Sequence, residues 1–350
     1  MDNAVLENVS INYNVETGGV MTFPLKPNVK NYMKFVAIED CQINLTSINA
    51  STGGADTSVD LKYSKDGLTW TQYDFNPIPL SSGETLYMKG NNENGLNAEP
   101  RICSFGDLSR LGIPMPSTPS TGKFECHGNI MSLLYGDDFE DKTTIPSVSC
   151  YMFMFFECTS LTAAPELPAT TLTNSCYENM FQGCSSLTEA PELPATTLTD
   201  SCYKGMFGGC TSLTAAPELP ATTLSSLCYN GMFSGCENLT TAPELSATTL
   251  ESQCYSSMFS YCTSLTTAPE LPATTLVQSC YQYMFKGCTN LNHITMLATD
   301  IPYMIADECM YTWVEGVASN GVFVKHPDMH TIENSPSGIP VGWTVENAVL

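Results

Sequence analysis

The sequence is short of charged residues, and above all of basic ones. Only 14% of its 350 residues are charged, and 13 Lys and Arg stand against 36 Asp and Glu, a formal net charge of −23. A field of that sign repels nucleic acid and anionic membranes, so we expect neither as a partner. The surface must be built from uncharged polar residues, a composition typical of secreted and virion proteins.

Long apolar runs are also lacking. The longest is Tyr151–Phe156, YMFMFF, far short of the ~20 residues that span a bilayer, so no membrane insertion is expected. The opening residues, MDNAVLENVSINYN, have neither the basic segment nor the apolar segment of a signal peptide. We expect a protein that avoids the general secretory route, or alternatively one whose leader has been removed.

Residues suited to catalysis are few. The chain has four histidines, His127, His293, His326 and His330. None of them forms a recognisable arrangement with a Ser or Cys nucleophile or with other metal ligands. Pro327 disfavours the helix that would align His326 with His330. No Gly-rich phosphate loop is present. We predict no enzyme and no cofactor, although the paired carboxylates of a glycosidase have no sequence spacing that would reveal them.

What the chain does contain is a 26-residue unit that returns with little change. One copy, SCYENMFQGCSSLTEAPELPATTLTD, spans Ser175–Asp200, and the next spans Ser201–Ser226. The other copies begin near Cys150 (a degenerate copy), Cys228, Cys254 and Cys280. A fixed period of this length predicts a solenoid whose units bury their apolar faces by stacking. A repeated surface also favours binding over a unique catalytic constellation.

Each unit is predicted to hold a short helix and a short strand. Five apolar residues stand at i, i+1, i+4, i+5 and i+8, which suggests one helix face: Cys176, Tyr177, Met180, Phe181 and Cys184. Gly183 suits a left-handed helix end. The following LTEAPEL predicts a strand interrupted at Pro191, which has no amide donor, before PATTL turns back.

The expected fold is α+β, a leucine-rich-repeat solenoid with a β-sandwich-like N-terminal domain and a C-terminal cap. Its predicted parts are an irregular arm (1–30), a β-rich domain (31–130), a linker or N-terminal cap (131–149), the solenoid (150–297) and the C-terminal cap (298–350). The β-rich domain is predicted from short runs of alternating apolar and polar residues and from Asp66-Gly67, a sequence typical of hairpin turns. The cap is expected to contain a helix around Asp307–Val317 and the strand GVFVKHP.

Three rows of residues recur through the units. Of the sixteen cysteines, twelve form six pairs eight residues apart, and we expect ladders of buried free thiols. Disulfides and zinc are the alternatives, although no CxxC pair or His accompanies the ladders. Paired threonines, from Thr170-Thr171 to Thr274-Thr275, predict a hydroxyl row with a structural role or, alternatively, contact with carbohydrate.

One carboxylate per unit forms the third row, which we interpret as a solvated edge, with weak binding of divalent cations as the alternative. Its members are Glu166, Glu192, Glu218, Glu244 and Glu270. The copies differ mainly at outward positions of the predicted helix. If selection rather than drift explains these differences, a partner meets this helix face. The candidate binding residues are Glu178, Asn179, Gln182, Lys204, Asn230, Gln282, Tyr283 and Lys286.

The unit resembles the BspA-like (Treponema-type) leucine-rich repeat, because Phe181 is followed by Gly183-Cys184 and then by Leu187. The longer pattern CYxxMFxGCTSLTxAPELPATTL is similar to repeat proteins of gut bacteria and their bacteriophages. The resemblance implies a curved strand–helix solenoid that binds proteins or glycans and carries no catalytic residues. The unit departs from the family in being longer and in reading Pro-Glu-Leu-Pro where the family has Ile-Pro.

These observations predict non-catalytic recognition. We expect a bacteriophage fibre, decoration or receptor-binding component on the virion surface, contacting a bacterial surface protein or glycan. Its N-terminal region would attach to the particle or to further copies, and a homo-oligomer is left open. The alternative is an extracellular bacterial cell-surface adhesin, and the third class is a carbohydrate-active enzyme.

Overall fold

The computed structural model describes residues 29–49, 51–97, 101–112, 118–299, 301, 308–329 and 332–349. The expected irregular arm at 1–30 lies outside the described residues except for Val29 and Lys30, and His330 is outside them too. The strands are β1 Met33–Ala37, β2 Cys41–Ile43, β3 Thr46–Asn49, β4 Leu61–Ser64, β5 Thr71–Gln72, β6 Ile78–Leu80, β7 Thr85–Gly90, β8 Arg101–Ser104, β9 Phe124–His127, β10 Leu161–Ala163, β11 His293–Met296, β12 Val322–Lys325 and β13 Thr344–Asn347. The helices are α1 Ser132–Tyr135 and a 3₁₀ turn at Ser109–Leu111.

The N-terminal region is β-rich, as the alternating runs predict. Its main sheet has the order β10-β9-β1-β7-β4-β5, and β2–β6 and β3–β8 form two further antiparallel pairs. In β1, Met33, Phe35 and Ala37 are buried while the residues between them are half-buried, so one face covers the core. The hairpin at Asp66 is confirmed, since its Oδ1 accepts hydrogen bonds from the amides of Leu68 and Thr69.

The repeat units contain no helix where one was predicted. In Ser175–Gly183 the amides alternate between two acceptors. The N–H of Tyr177 donates to Cys202 O in the next unit (3.0 Å), whereas that of Glu178 donates back to Ser175 O (3.2 Å). Every fourth residue has a positive φ, including Asn179 (54°) and Gly183 (78°). Two side chains point inward and the next two outward, which is a period of four residues, whereas an α-helix has 3.6 residues per turn. The helix prediction is therefore wrong.

We call each such segment a turn ladder, and the structure describes seven of them. They are Ser149–Glu157, Ser175–Gly183, Ser201–Gly209, Leu227–Gly235, Gln253–Tyr261, Ser279–Gly287 and Glu308–Gly316. Their inward side chains stack on their equivalents: Tyr177 and Tyr203 rings are 5.9 Å apart at 2°, and Phe181 and Phe207 rings 5.6 Å apart at 4°. These continuous aromatic columns hold the units in register.

The extended segments of neighbouring units are parallel but pair only at isolated points. Single bridges join Thr197 to Thr223 and Ala215 to Thr241, and only β10 and β11 become strands within the repeats. The prolines of PELPATTL explain this interruption, since proline has no amide hydrogen to donate to a neighbouring strand. The units therefore stack without one continuous sheet.

Both ends of the stack are closed by side chains that continue its columns. Phe105 of the N-terminal region stacks on Phe155 (5.5 Å), and β10 pairs in parallel with β9. At the other end, Trp313 stacks on Tyr281 (6.3 Å), beside the parallel sheet β11-β12-β13. The helix predicted around Asp307–Val317 is wrong over its described residues, which contain the seventh turn ladder; the strand GVFVKHP is confirmed as β12.

Candidate binding surface

The variable residues project from the outer side of the turn ladders, which we call the turn face. All eight candidates are half-buried, so their side chains are accessible between neighbouring units. Asn179, Gln182, Lys204 and Asn230 line one groove of about 560 Å³ on this face. Glu178, Gln282, Tyr283 and Lys286 lie on the turn face but outside the groove lining.

The groove exists because small residues occupy the middle units and large ones the ends. At the last position of the first six ladders the sequence reads Glu157, Gly183, Gly209, Gly235, Tyr261 and Gly287. Four residues earlier it reads Phe153, Asn179, Gly205, Gly231, Ser257 and Tyr283. A Cβ placed on Gly231 would meet no atom within 4 Å, which shows how open the centre is.

Both of these positions require positive φ, the conformation that glycine adopts without steric cost. Asn179, Ser257 and Tyr283 nevertheless adopt it, at φ of 54–57°. Larger residues are therefore compatible with the ladder at these positions. Glycine at Gly231 leaves space at the surface, whereas the space beside Gly205 is filled by the side chain of Asn179. The open space is a consequence of residue choice and not of the backbone path.

Charges in the groove are paired. Lys204 Nζ lies 3.0 Å from Glu178 Oε1, and Arg110 Nη1 lies 3.0 Å from Glu157 Oε1. The other lining residues are Asn, Gln, Ser, Thr and Gly. The groove is thus close to electrically neutral on a chain of net charge −23. Arg110 comes from the N-terminal region, and sequence reasoning did not include it because nothing in its neighbourhood resembles the repeat.

The backbone amides beneath the groove are all used within the protein. In Ser175–Gly183 all nine amides donate and all nine carbonyls accept within the protein. The same holds for Ser201–Gly209 and Leu227–Gly235. No backbone amide is therefore left to donate to a ligand on this face, and side chains supply the donors.

Three tyrosines stand beside the end of the groove formed by Ser257 and Ser260, and we call them the tyrosine cluster. Tyr261 and Tyr311 are 53% and 45% exposed, and Tyr283 lies 5.5 Å from Tyr311, edge to face. Lys286 Nζ is 5.3 Å from the Tyr283 ring and 2.8 Å from Glu315. Sequence reasoning missed Tyr261 and Tyr311. The available signal was Tyr261 itself, which stands where Gly183, Gly209, Gly235 and Gly287 stand in other units.

The carboxylate row lies away from the turn face, on the extended segments. All five glutamates are exposed, and Glu166 accepts hydrogen bonds of 2.9 Å from Asn31 Nδ2 at both oxygens. Among the described residues, no three His, Cys, Asp or Glu side chains come together as metal ligands. The paired threonines are likewise exposed, from Thr170-Thr171 to Thr274-Thr275.

The twelve cysteines of the repeat pairs are buried free thiols, which confirms the predicted thiol ladders. The second thiol of a unit donates to the carbonyl of the preceding unit's phenylalanine, as Cys184 Sγ does to Phe155 O at 3.1 Å. Burial raises the pKa of Cys176 to about 12. These thiols belong to the core and offer no nucleophile to the groove.

Comparison with known proteins adds one family. The model described as the BspA type Leucine rich repeat region matches residues 140–266 and 200–311, in six copies. The two overlapping matches span about half of the chain. No curated protein and no solved structure matches it. Within the described residues, no helix has the length and hydrophobicity needed to cross a membrane.

Proposed function

Because residues 140–311 of this chain belong to the BspA-type leucine-rich-repeat family, a family of binding and adhesion repeats, we propose that the protein is a non-catalytic adhesion protein. The observation that carries this proposal is the groove on the turn face. It brings four of the eight candidate residues, at which otherwise similar units differ, into one accessible place. We further infer that the stacked units form a right-handed solenoid.

The chemistry of the groove supports binding over turnover. Its lining holds amides, hydroxyls and the ion pair of Arg110 with Glu157, and its Lys204 is paired with Glu178 beside the groove. Glycosidases use two carboxyl groups that flank the scissile bond, and Glu157 is the single carboxylate among the described lining residues. No turnover is therefore expected when the protein is incubated with a panel of polysaccharides.

Binding to intact surfaces tests the proposal directly. The fluorescently labelled full chain is added to a panel of bacterial cells and to mucin-coated wells, and bound fluorescence is measured against protein concentration. Saturable binding that unlabelled protein displaces is expected on at least one surface. Heat-unfolded protein is the control. If no surface in the panel gives saturable binding, the adhesion proposal is wrong.

For the location of the protein, we propose the surface of a bacteriophage particle, where it would be a fibre, decoration or receptor-binding component. The polar surface of low charge supports this location. Mass spectrometry of purified particles is expected to detect peptides of the chain at a stoichiometry typical of structural proteins. Recovery only from the bacterial cell envelope would favour the alternative, a bacterial cell-surface adhesin, which suits the usual surface location of BspA-type repeat proteins.

A further inference from the structure

We propose that the groove of the turn face, together with the tyrosine cluster, binds an uncharged oligosaccharide. This inference rests on the proposed adhesion function and names the chemical class of its ligand. Four observations carry it: the open groove, the paired charges, the fully used backbone and the exposed tyrosines. Each excludes or favours one class of ligand.

The charges argue against an ionic ligand. The three charged residues that line the groove are Arg110, Glu157 and Lys204, and each has a counter-ion within about 3.0 Å. An anion would have to compete with Glu157 and Glu178 for their cations and would meet the field of a chain with net charge −23. A cation would find both carboxylates already paired. A neutral ligand meets neither obstacle.

The backbone argues against an extended peptide. Peptides that add to a protein surface as strands take most of their affinity from main-chain hydrogen bonds. Every amide and carbonyl of Ser175–Gly183, Ser201–Gly209 and Leu227–Gly235 is already bonded inside the stack. The hydrogen-bond donors to a ligand in this groove are therefore side chains, such as those of Asn179, Gln182 and Asn230.

The tyrosine cluster supplies the apolar contact that a sugar needs. A pyranose ring has one face of C–H groups that packs on an aromatic ring, while its hydroxyls face amide and hydroxyl side chains. Tyr261 is more than half exposed, and its ring lies across Gly287, because a Cβ placed on Gly287 would be 2.5 Å from Tyr261 Cδ1. An exposed ring supported from below is a platform on which a sugar can stack.

The repeat of the stack also matches a polymeric ligand. Equivalent rings in successive units are 5.4–5.8 Å apart along the phenylalanine column. That step is similar to the length of one sugar residue in an extended chain. Successive units can therefore meet successive sugars, and Gly231 leaves room for the sugar chain.

The test uses a printed array of neutral oligosaccharides built from glucose, mannose, galactose and N-acetylhexosamines. Sialylated and uronic-acid oligosaccharides and neutral peptides are printed beside them. The full-length protein is expected to bind at least one neutral oligosaccharide in preference to every charged glycan and peptide. The affinity for the strongest binder is then measured by titration calorimetry.

Three variants address the site itself. Tyr261→Gly and Tyr283→Ser introduce residues that the chain has at equivalent positions, so both are expected to fold. Gly209→Tyr fills the centre, and its ring can lie over Gly235 as Tyr261 lies over Gly287. Loss of either tyrosine is expected to weaken binding on the order of ten-fold, as truncation of an aromatic anchor does, and filling the centre should weaken it by a similar factor. Glu218→Gln, on the carboxylate row, is the control and should leave the affinity unchanged.

The proposal is overturned if no neutral oligosaccharide on the array binds, if charged glycans or peptides bind in preference, or if the tyrosine variants bind as well as the parent. Its failure is distinguishable from failure of the adhesion proposal. Binding to intact cells that survives periodate oxidation of surface glycans, and is unaffected by Tyr261→Gly, would leave the adhesion function standing without this ligand.

Discussion

The thiol of Cys210 donates a hydrogen bond of 3.1 Å to the carbonyl oxygen of Phe181, one unit earlier in the stack. The same contact recurs at Cys236, Cys262 and Cys288. A cysteine at this position is thus a small apolar residue that also satisfies a buried carbonyl of its neighbour. It ties consecutive units together without a covalent bond.

Thiol reactivity should therefore report unfolding. In the native protein at pH 8 we expect almost no reaction of the sixteen cysteines with a chromogenic disulfide reagent, because all are buried. In denaturant all sixteen should react. The measurement is the thiol count with and without urea. Rapid modification of many thiols in the folded protein would contradict the arrangement.

Alkaline pH should destabilise the stack. Burial raises the pKa of Cys176 and of Cys228 to about 12 from an ordinary value of 9.0. The folded state therefore holds these protons more tightly, so the stabilisation is complete below pH 9 and is lost as pH rises from 9 towards 12. The urea midpoint should fall across this window. Thiolate absorbance that increases before unfolding would be inconsistent with burial.

A pair of adjacent glycines can distinguish the turn ladder from a helix. Gly209 has φ of 73°, whereas Gly208 lies outside the left-handed region. We expect Gly209→Ala to cost ~1–2 kcal/mol of unfolding free energy, and Gly208→Ala to change it little or to add ~0.4–1 kcal/mol. In a helix interior both substitutions would stabilise. Urea denaturation of the two variants measures the difference.

The aromatic columns should carry much of the stability. Phe207 is fully buried, with Phe181 and Phe233 stacked on either side at 5.6 and 5.7 Å. Replacing it by alanine opens the column on both sides and should cost ~3–5 kcal/mol. The exposed Thr222→Ala is the matched surface variant, expected within ~0.5 kcal/mol of the parent. Equal urea midpoints for the two variants would contradict this role.

Much of the repeat was predictable from the sequence. The inward residues were identified correctly, as Tyr177 and Phe181 show, because apolar side chains must be buried whichever backbone presents them. The backbone conformation was not identified correctly, because five apolar positions within nine residues are compatible both with a helix and with a period of four residues. The missing signal was Gly205 and Gly209, a pair of glycines four residues apart with positive φ.

The candidate site was predicted only in outline. Variation between copies indicated the outward positions, and the structure brings Asn179, Gln182, Lys204 and Asn230 to one groove. Its depth depends on which small residues become neighbours after stacking. One wall comes from Arg110, 47 positions away in sequence from its partner Glu157. Periodicity carries no information about either fact.

The hydrogen bonds between turn ladders have a mechanical consequence. They run from unit to unit, so a pulling force between the two ends of the stack loads each interface in turn and the units can peel away one at a time. Each released unit adds 26 residues, roughly 90 Å of extended chain at ~3.4 Å per residue. A stack of this kind would lengthen in equal steps under load and would dissipate work before the protein detaches from its ligand.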